Sequence, residues 1–138
     1  MTRSFEIVDS HYANWRFVGA DSVIDFGHHA PLIVGEPLAL DAAEAERIAA
    51  ALHDCRVSLL KDGVQEVVGV GANALSHPAL ALAHLAAVIA SQPGAAPLAA
   101  GEIITTGTLT LALPIEAGAT WRTETDGLDL PDLTVRFT

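Results

Sequence analysis

Two apolar runs, Arg56–Leu60 and Val64–Val70, are separated by little more than Asp62–Gly63. Asp-Gly accepts the positive φ values of a type I′ turn, so the stretch predicts a β-hairpin. No other feature limits the fold as tightly. So tight a connection joins antiparallel strands only, because parallel neighbours need a crossover of a dozen residues or more. The hairpin also disposes of a tempting motif. Gly69-Val-Gly71-Ala-Asn-Ala74 matches G-x-G-x-x-A, the dinucleotide-binding fingerprint. Here it follows a hairpin, the next helix signal starts only at Ser76 or His77 with Pro78 as first helical residue, and no acid stands about twenty residues on to hold a ribose.

The second strong β signal is Gly101–Gly118, GEIITTGTLTLALPIEAG. β-branched residues fill its centre, so a strand is expected there. Gly107 interrupts that centre between threonines, which marks a bulge or a place where backbone or ligand comes close. Phe5–Val8 reads as a short strand with Glu6 inside it, Leu32–Leu40 as a strand with a Gly-Glu-Pro break, and Ala119–Thr125 with Leu133–Thr138 as a second hairpin turning at Asp126–Gly127. Asp21–Ala30 reads as a turn or short helix ending at Gly27, and His11–Phe17 as an aromatic cluster on a connection. Asp41–Leu52 has a capping-box start, Asp41 with Glu44. Pro78–Ser91 is apolar nearly all round, which predicts a helix buried on most sides. The fold class expected is α+β, mainly β, with one long buried helix, in a single domain over residues 1–138.

Composition excludes several functions. The formal net charge is −10 with seven scattered basic residues, which argues against nucleic acid, whose phosphates need clustered Lys and Arg. Mean hydropathy is +0.39, but charges, His or Pro/Gly breaks interrupt every apolar segment before about 20 residues, so no membrane partner is expected. The amino terminus lacks the apolar core of a signal peptide and Cys55 is the only cysteine; cytoplasmic residence is the expectation.

G-x-S-x-G, H-E-x-x-H, P-loop and C-x-x-C motifs are all absent. Glu6 is the most informative carboxylate: within a buried strand it costs several kcal/mol unless paired or metal-bound. It is therefore either on a solvated face or a ligand. His28 and His29 are adjacent and in a strand point to opposite faces, one solvated and one packed, or one at a pocket rim. His77 and His84, without a third ligand, are weak zinc candidates. Cys55 reads as a buried inert thiol and Lys61, the only lysine, as solvated.

Four stretches, in order, carry a resemblance: Phe5–Ser10 with Asn14–Trp15 (FEIVDS…NW), Asp21–Asp25 (DSVID), Gly71–Pro78 (GANALSHP) and Gly101–Pro114 (GEIITTGTLTLALP). Together they resemble the C-terminal part of the 2-keto-4-pentenoate hydratase branch of the fumarylacetoacetate hydrolase superfamily. The resemblance implies a mixed β-roll, a small 2-keto acid substrate, Mg²⁺ or Mn²⁺ as Lewis acid, enolate chemistry and a place in aromatic catabolism. It makes Glu6 a metal ligand, puts Gly107 and Thr108 in the substrate pocket and leaves His28 as a possible pocket residue with a catalytic role. The family's E-x-E pair and catalytic lysine lie upstream of FEIVDS and have no counterpart before Glu6. A hydratase-like domain completed by a homo-oligomer or a complementary chain is therefore one expectation. A non-catalytic remnant or subunit that keeps the fold and binds a partner or small acid is the other.

Overall fold

The computed structural model describes Met1–Thr138. Strand β1 (Ser4–Val8) leads through a 3-10 turn at Ala13–Trp15 to helix α1 (Gly19–Ile24), a second 3-10 turn at Phe26–His28 and strand β2 (His29–Val34). Helix α2 (Ala42–Ala51), strands β3 (Arg56–Lys61) and β4 (Val64–Val70), helix α3 (Pro78–Ser91), and strands β5 (Thr120–Asp126) and β6 (Leu133–Arg136) complete the chain. β1 and β2 pair antiparallel; the larger sheet runs β4-β3-β5-β6, also antiparallel throughout.

The hairpin that dominates the sequence forms as expected. Asp62 and Gly63 take φ of 50° and 83° between β3 and β4, the left-handed pair a type I′ turn requires. β5 and β6 form the second hairpin, with the loop extended to Asp132. At α2 the Asp41 carboxylate accepts from Glu44 N–H at 2.9 Å, and Glu44 returns the bond to Asp41 N–H at 3.0 Å. At α3 the cap is His77, whose Nδ1 accepts from Ala79 N–H at 3.1 Å, with Pro78 as first helical residue. The core is small: Ile48, Cys55, Leu60, Ala74, Ala119 and Trp121 are its principal apolar members. The two sheets are pinned by Arg3, whose guanidinium reaches Asp132 at 2.6 Å and the carbonyls of Leu130 and Thr123.

Three expectations are corrected. Leu32–Leu40 does not form a strand of that length: β2 begins earlier, at His29, and ends at Val34, and beyond it only isolated bonds, among them Gly35 N–H to Arg3 O and Leu38 N–H to Met1 O, keep the chain beside the amino terminus. The Gly101–Gly118 strand does not form. The segment is irregular, and Ile103 and Leu111 are 66% and 73% exposed. A strand exists only by pairing, and no backbone hydrogen bond joins this segment to β4, which it approaches at Gly69. The long helix is not buried. Only Pro78 and Ala81 of α3 are covered, while Leu80 and Val88 are more than half exposed. Its apolar composition has no counterpart surface within the chain. Gly71–Ser91 taken together is long and apolar enough to cross a membrane by length and composition. The continuous helix is shorter, because Leu75 and Ser76 have φ of 48° and 69° and break it before His77. The remaining 14 residues reach about 21 Å, less than a hydrocarbon core of roughly 30 Å.

Candidate functional site

Two regions carry the chemistry-bearing residues. The first is the β1–β2 corner. Glu6 lies opposite Leu32 just before a bulge, and after the bulge Val8 meets His29. That irregularity brings the Glu6 carboxylate to His29: Oε1 lies 3.0 Å from Nδ1, both side chains part-exposed. Glu6 thus sits on a solvated face with a partner, and its second oxygen makes no protein hydrogen bond.

Behind this corner His28 is 8% exposed and carries φ +62. Its Nδ1 is 2.9 Å from Asp25 Oδ2 and its Nε2 is 2.9 Å from Ser22 Oγ, while Phe17 lies against the ring at 4.0 Å between centroids. Both ring nitrogens are therefore engaged. Serine, histidine and aspartate fall in the order of a nucleophilic relay. Ser22 is nevertheless inside α1, with its own N–H bonded to Val18 O, so no oxyanion cradle opens at that N–H. What the geometry does is anchor Asp25, which also binds His11 through its N–H at 3.1 Å and its Nδ1 at 2.5 Å. His11 is 89% exposed, so its Nε2 faces solvent. Burial pushes the Asp25 carboxyl up, but the bonds from the His11 N–H and from the His28 and His11 rings outweigh it and hold the group below the ordinary aspartate range.

A carboxylate held low in the folded state stabilises the fold above its unfolded pKa of about 4 and loses that contribution as pH falls through the lower folded value. Melting temperature should therefore drop more steeply in the native protein than in Asp25→Asn as pH falls below about 4, measured by circular dichroism. Equal slopes would remove Asp25 from the acid response.

The second region is a cleft of about 450 Å³ lined by Val67, Val68, Asn73 and Thr108–Leu111. Here β4 passes so close to the chain at Leu109 that a Cβ on Gly69 would lie 2.0 Å from the Leu109 carbonyl oxygen. Asn73 donates from Nδ2 to that same oxygen at 2.7 Å. Gly69 and Asn73 therefore set where Thr108 stands. Thr108 Oγ1 donates to Thr110 O at 3.0 Å, and Gly107 takes φ +102 with open space where a side chain would be.

Glu6 and His28 share one region and Gly107 and Thr108 the other; no hydrogen bond or ion pair joins the two. Asn73, Asp25 and His11 were not singled out from sequence, although the first two lie inside the GANALSHP and DSVID stretches. Lys61 is not free in solvent. Its Nζ binds Glu116 at 2.9 Å, and that hydrogen bond raises its pKa against a smaller opposing effect of burial. Cys55 is the inert thiol expected: 2% exposed, donating to Leu52 O, with burial raising its pKa.

No group of three or more His, Cys, Asp or Glu side chains is arranged to hold a metal ion; His11, Asp25 and His28 meet, but they turn their facing atoms on one another. One carboxylate with a histidine beside it does not satisfy a hard divalent cation, which takes six or more oxygens. By themselves these residues do not complete a metal site.

No protein-family model matches the chain. It is 33% identical over 113 residues to a 4-oxalocrotonate decarboxylase of Pseudomonas sp. strain CF600, covering 82% of this chain and 40% of that protein. It is 30% identical over 126 residues to a 2-keto-4-pentenoate hydratase of Burkholderia vietnamiensis, covering 91% and 45%. Among solved structures, a 4-oxalocrotonate decarboxylase from Pseudomonas putida G7 in complex with magnesium and adipate superposes on 99% of this chain with a TM-score of 0.82 at 29% identity. A second structure of that decarboxylase holds calcium and acetate. The chain spans 40% to 48% of the length of these proteins.

Proposed function

We propose that this chain, a relative by sequence and by fold of the 2-keto-4-pentenoate hydratases and 4-oxalocrotonate decarboxylases of the fumarylacetoacetate hydrolase superfamily, forms one wall of a site for a small 2-keto acid. The observation that carries the reading is the cleft at Thr108. A segment with almost no structure of its own is held there by Gly69 and Asn73 against β4, and its lining mixes apolar side chains with hydroxyls and an amide. That mixture suits a short acid with an apolar carbon chain. Glu6 contributes one carboxylate oxygen toward Mg²⁺ or Mn²⁺, and the remaining ligands come from polypeptide outside the 138 residues. When bound, such an ion polarises a keto oxygen. This chain's own share is to place Thr108 and Asn73 along the acid and to keep water from one side of it with Val67 and Val68. The two antiparallel sheets are, in this reading, pieces of a β-roll that closes in the complete assembly, and the reaction is hydration or decarboxylation of the 2-keto acid.

One observation favours a second reading, a subunit that binds a small acid without turning it over: the metal ligands are incomplete in this chain. Calorimetric titration with Mg²⁺ and 2-oxopentanoate, with and without the decarboxylase part that this chain does not match, separates the two. Glu6→Gln is expected to weaken Mg²⁺ binding in the completed assembly at least tenfold, because the amide loses the charge that holds the ion. Unchanged Mg²⁺ binding in Glu6→Gln would remove Glu6 from the site. Hydration of 2-hydroxypenta-2,4-dienoate in the assembly would exclude the non-catalytic reading.

A further inference from the structure

From Pro78 to Ile115 there is one charged residue, Glu102, although the whole chain has 17 acidic and 7 basic side chains. This uncharged run is also the exposed one: Leu80, Leu85, Val88, Ile103 and Leu111 are 37% to 73% exposed. Between Ile103 and Ile115 no backbone N–H or carbonyl bonds to another backbone group. Only side chains serve it, Asn73 at Leu109 O and the Thr108 hydroxyl at Thr110 O. Residues rich in Ile, Thr and Leu, uncharged and unpaired, are the chemistry of a strand without neighbours, although in the free chain the segment bends at Leu109–Thr110 and Gly107 takes φ +102.

The surface area agrees. The chain exposes 9211 Å², whereas a folded monomer of its mass exposes about 6,800 Å². The excess, roughly 2,400 Å², is about three times what one partner gives to a standard interface. It is the scale on which pieces of one domain meet. In the Pseudomonas putida decarboxylase the elements matched here occupy 48% of a single chain, so about as much polypeptide again accompanies them.

We propose that Ile103–Ile115 is a docking strand, and that its occupant is strand-bearing polypeptide corresponding to the part of the decarboxylase and hydratase relatives that this chain does not match, on the same chain or another. It adds backbone hydrogen bonds along Ile103–Ile115 and lays apolar side chains over α3. The proposal rests on the functional reading above only for the identity of the occupant; the surface itself follows from this chain's area and unpaired backbone.

The test is hydrogen exchange with light-scattering mass, first on the 138-residue chain and then on the chain co-expressed with the unmatched part of the Pseudomonas putida G7 decarboxylase. Alone, Ile103–Ile115 amides should exchange near the unprotected rate; in a 1:1 complex they should slow by roughly 100-fold or more. Thr105→Pro removes an N–H that bonds to nothing in the free chain, so it should leave the free chain's melting curve in place and abolish the complex. A fusion with the decarboxylase part placed ahead of Met1 gives the same exchange readout if the separate part is insoluble. A homodimer that protects these amides, protection in the isolated monomer, or no slowing in either the complex or the fusion would each overturn the proposal. None of these readouts involves metal or acid binding, so failure of the functional reading and failure of the docking strand are distinguishable.

Discussion

Gly71→Ala is expected to lower the melting temperature by roughly 10 °C, corresponding to about 3 kcal/mol at this chain length. Gly71 is buried where β4 leaves the sheet, and an added Cβ would stand 1.5 Å from the carbonyl oxygen of Leu52 and 3.1 Å from Cys55 Sγ. Neither neighbour can yield cheaply. Leu52 closes α2, its N–H bonded to Ile48 O, and Cys55 O accepts from Gly71 N–H itself at 2.9 Å. The adjacent bond from Ala72 N–H to His53 O, also 2.9 Å, ties the same crossing a second time. The methyl therefore has to separate α2 from the end of β4 or distort both. Gly19→Ala is the control. It lies in α1 with no atom within 4 Å of where the added methyl would stand, and its melting temperature should stay within about 2 °C of the native value. Circular dichroism melts of the two variants settle the matter; a Gly71→Ala protein as stable as Gly19→Ala would mean that the crossing is looser than its distances.

Gly69→Ala should behave differently, although its clash is nearly as severe. The Cβ would lie 2.0 Å from Leu109 O and 2.5 Å from Leu109 C. Leu109, however, belongs to the stretch without backbone–backbone hydrogen bonds, so the cheapest response is for that stretch to move. Thermal stability should fall by no more than about 1 kcal/mol. The cleft should suffer instead. Displacing Leu109 removes the Asn73 bond and shifts Thr108, and binding of a 2-keto acid should weaken at least tenfold, the equivalent of about 1.4 kcal/mol. Amide chemical shifts provide a readout independent of any ligand: changes should concentrate at residues 67–73 and 107–111. Shifts spread through β5 and β6 would mean that the segment around Leu109 is coupled to the sheet more tightly than its bonding indicates. The contrast between the two glycines comes from the neighbour, since one meets a capped helix and the other a segment free to give way.

The same distinction separates what was legible in the amino-acid order from what was not. Asp62–Gly63 with its flanking apolar runs announced the β3–β4 hairpin. Asp41 with Glu44 announced α2, and His77 with Pro78 announced the start of α3. Each is a local device whose partners lie within a few residues, so neighbouring side chains and backbone suffice to decide it. Glu6 on a strand was legible for the same reason. The packed and solvated histidines at 28 and 29 came out as expected but not by strand alternation, since His28 lies in the 3-10 turn before β2 and is held by Asp25, Ser22 and Phe17. Asn73 was not, because its partner is Leu109 O, 36 positions away, and an asparagine before a helix usually reads as a cap or a turn.

Gly101–Gly118 and Pro78–Ser91 show the limit from the other side. Sequence alone determined their chemistry: β-branched and uncharged in the first, apolar all round in the second. Whether the first becomes a strand and the second a buried helix depends on which surfaces lie opposite, and only the tertiary structure decided that. Backbone pairing and apolar burial are relations between distant segments, so intrinsic preference cannot supply the missing member of the pair.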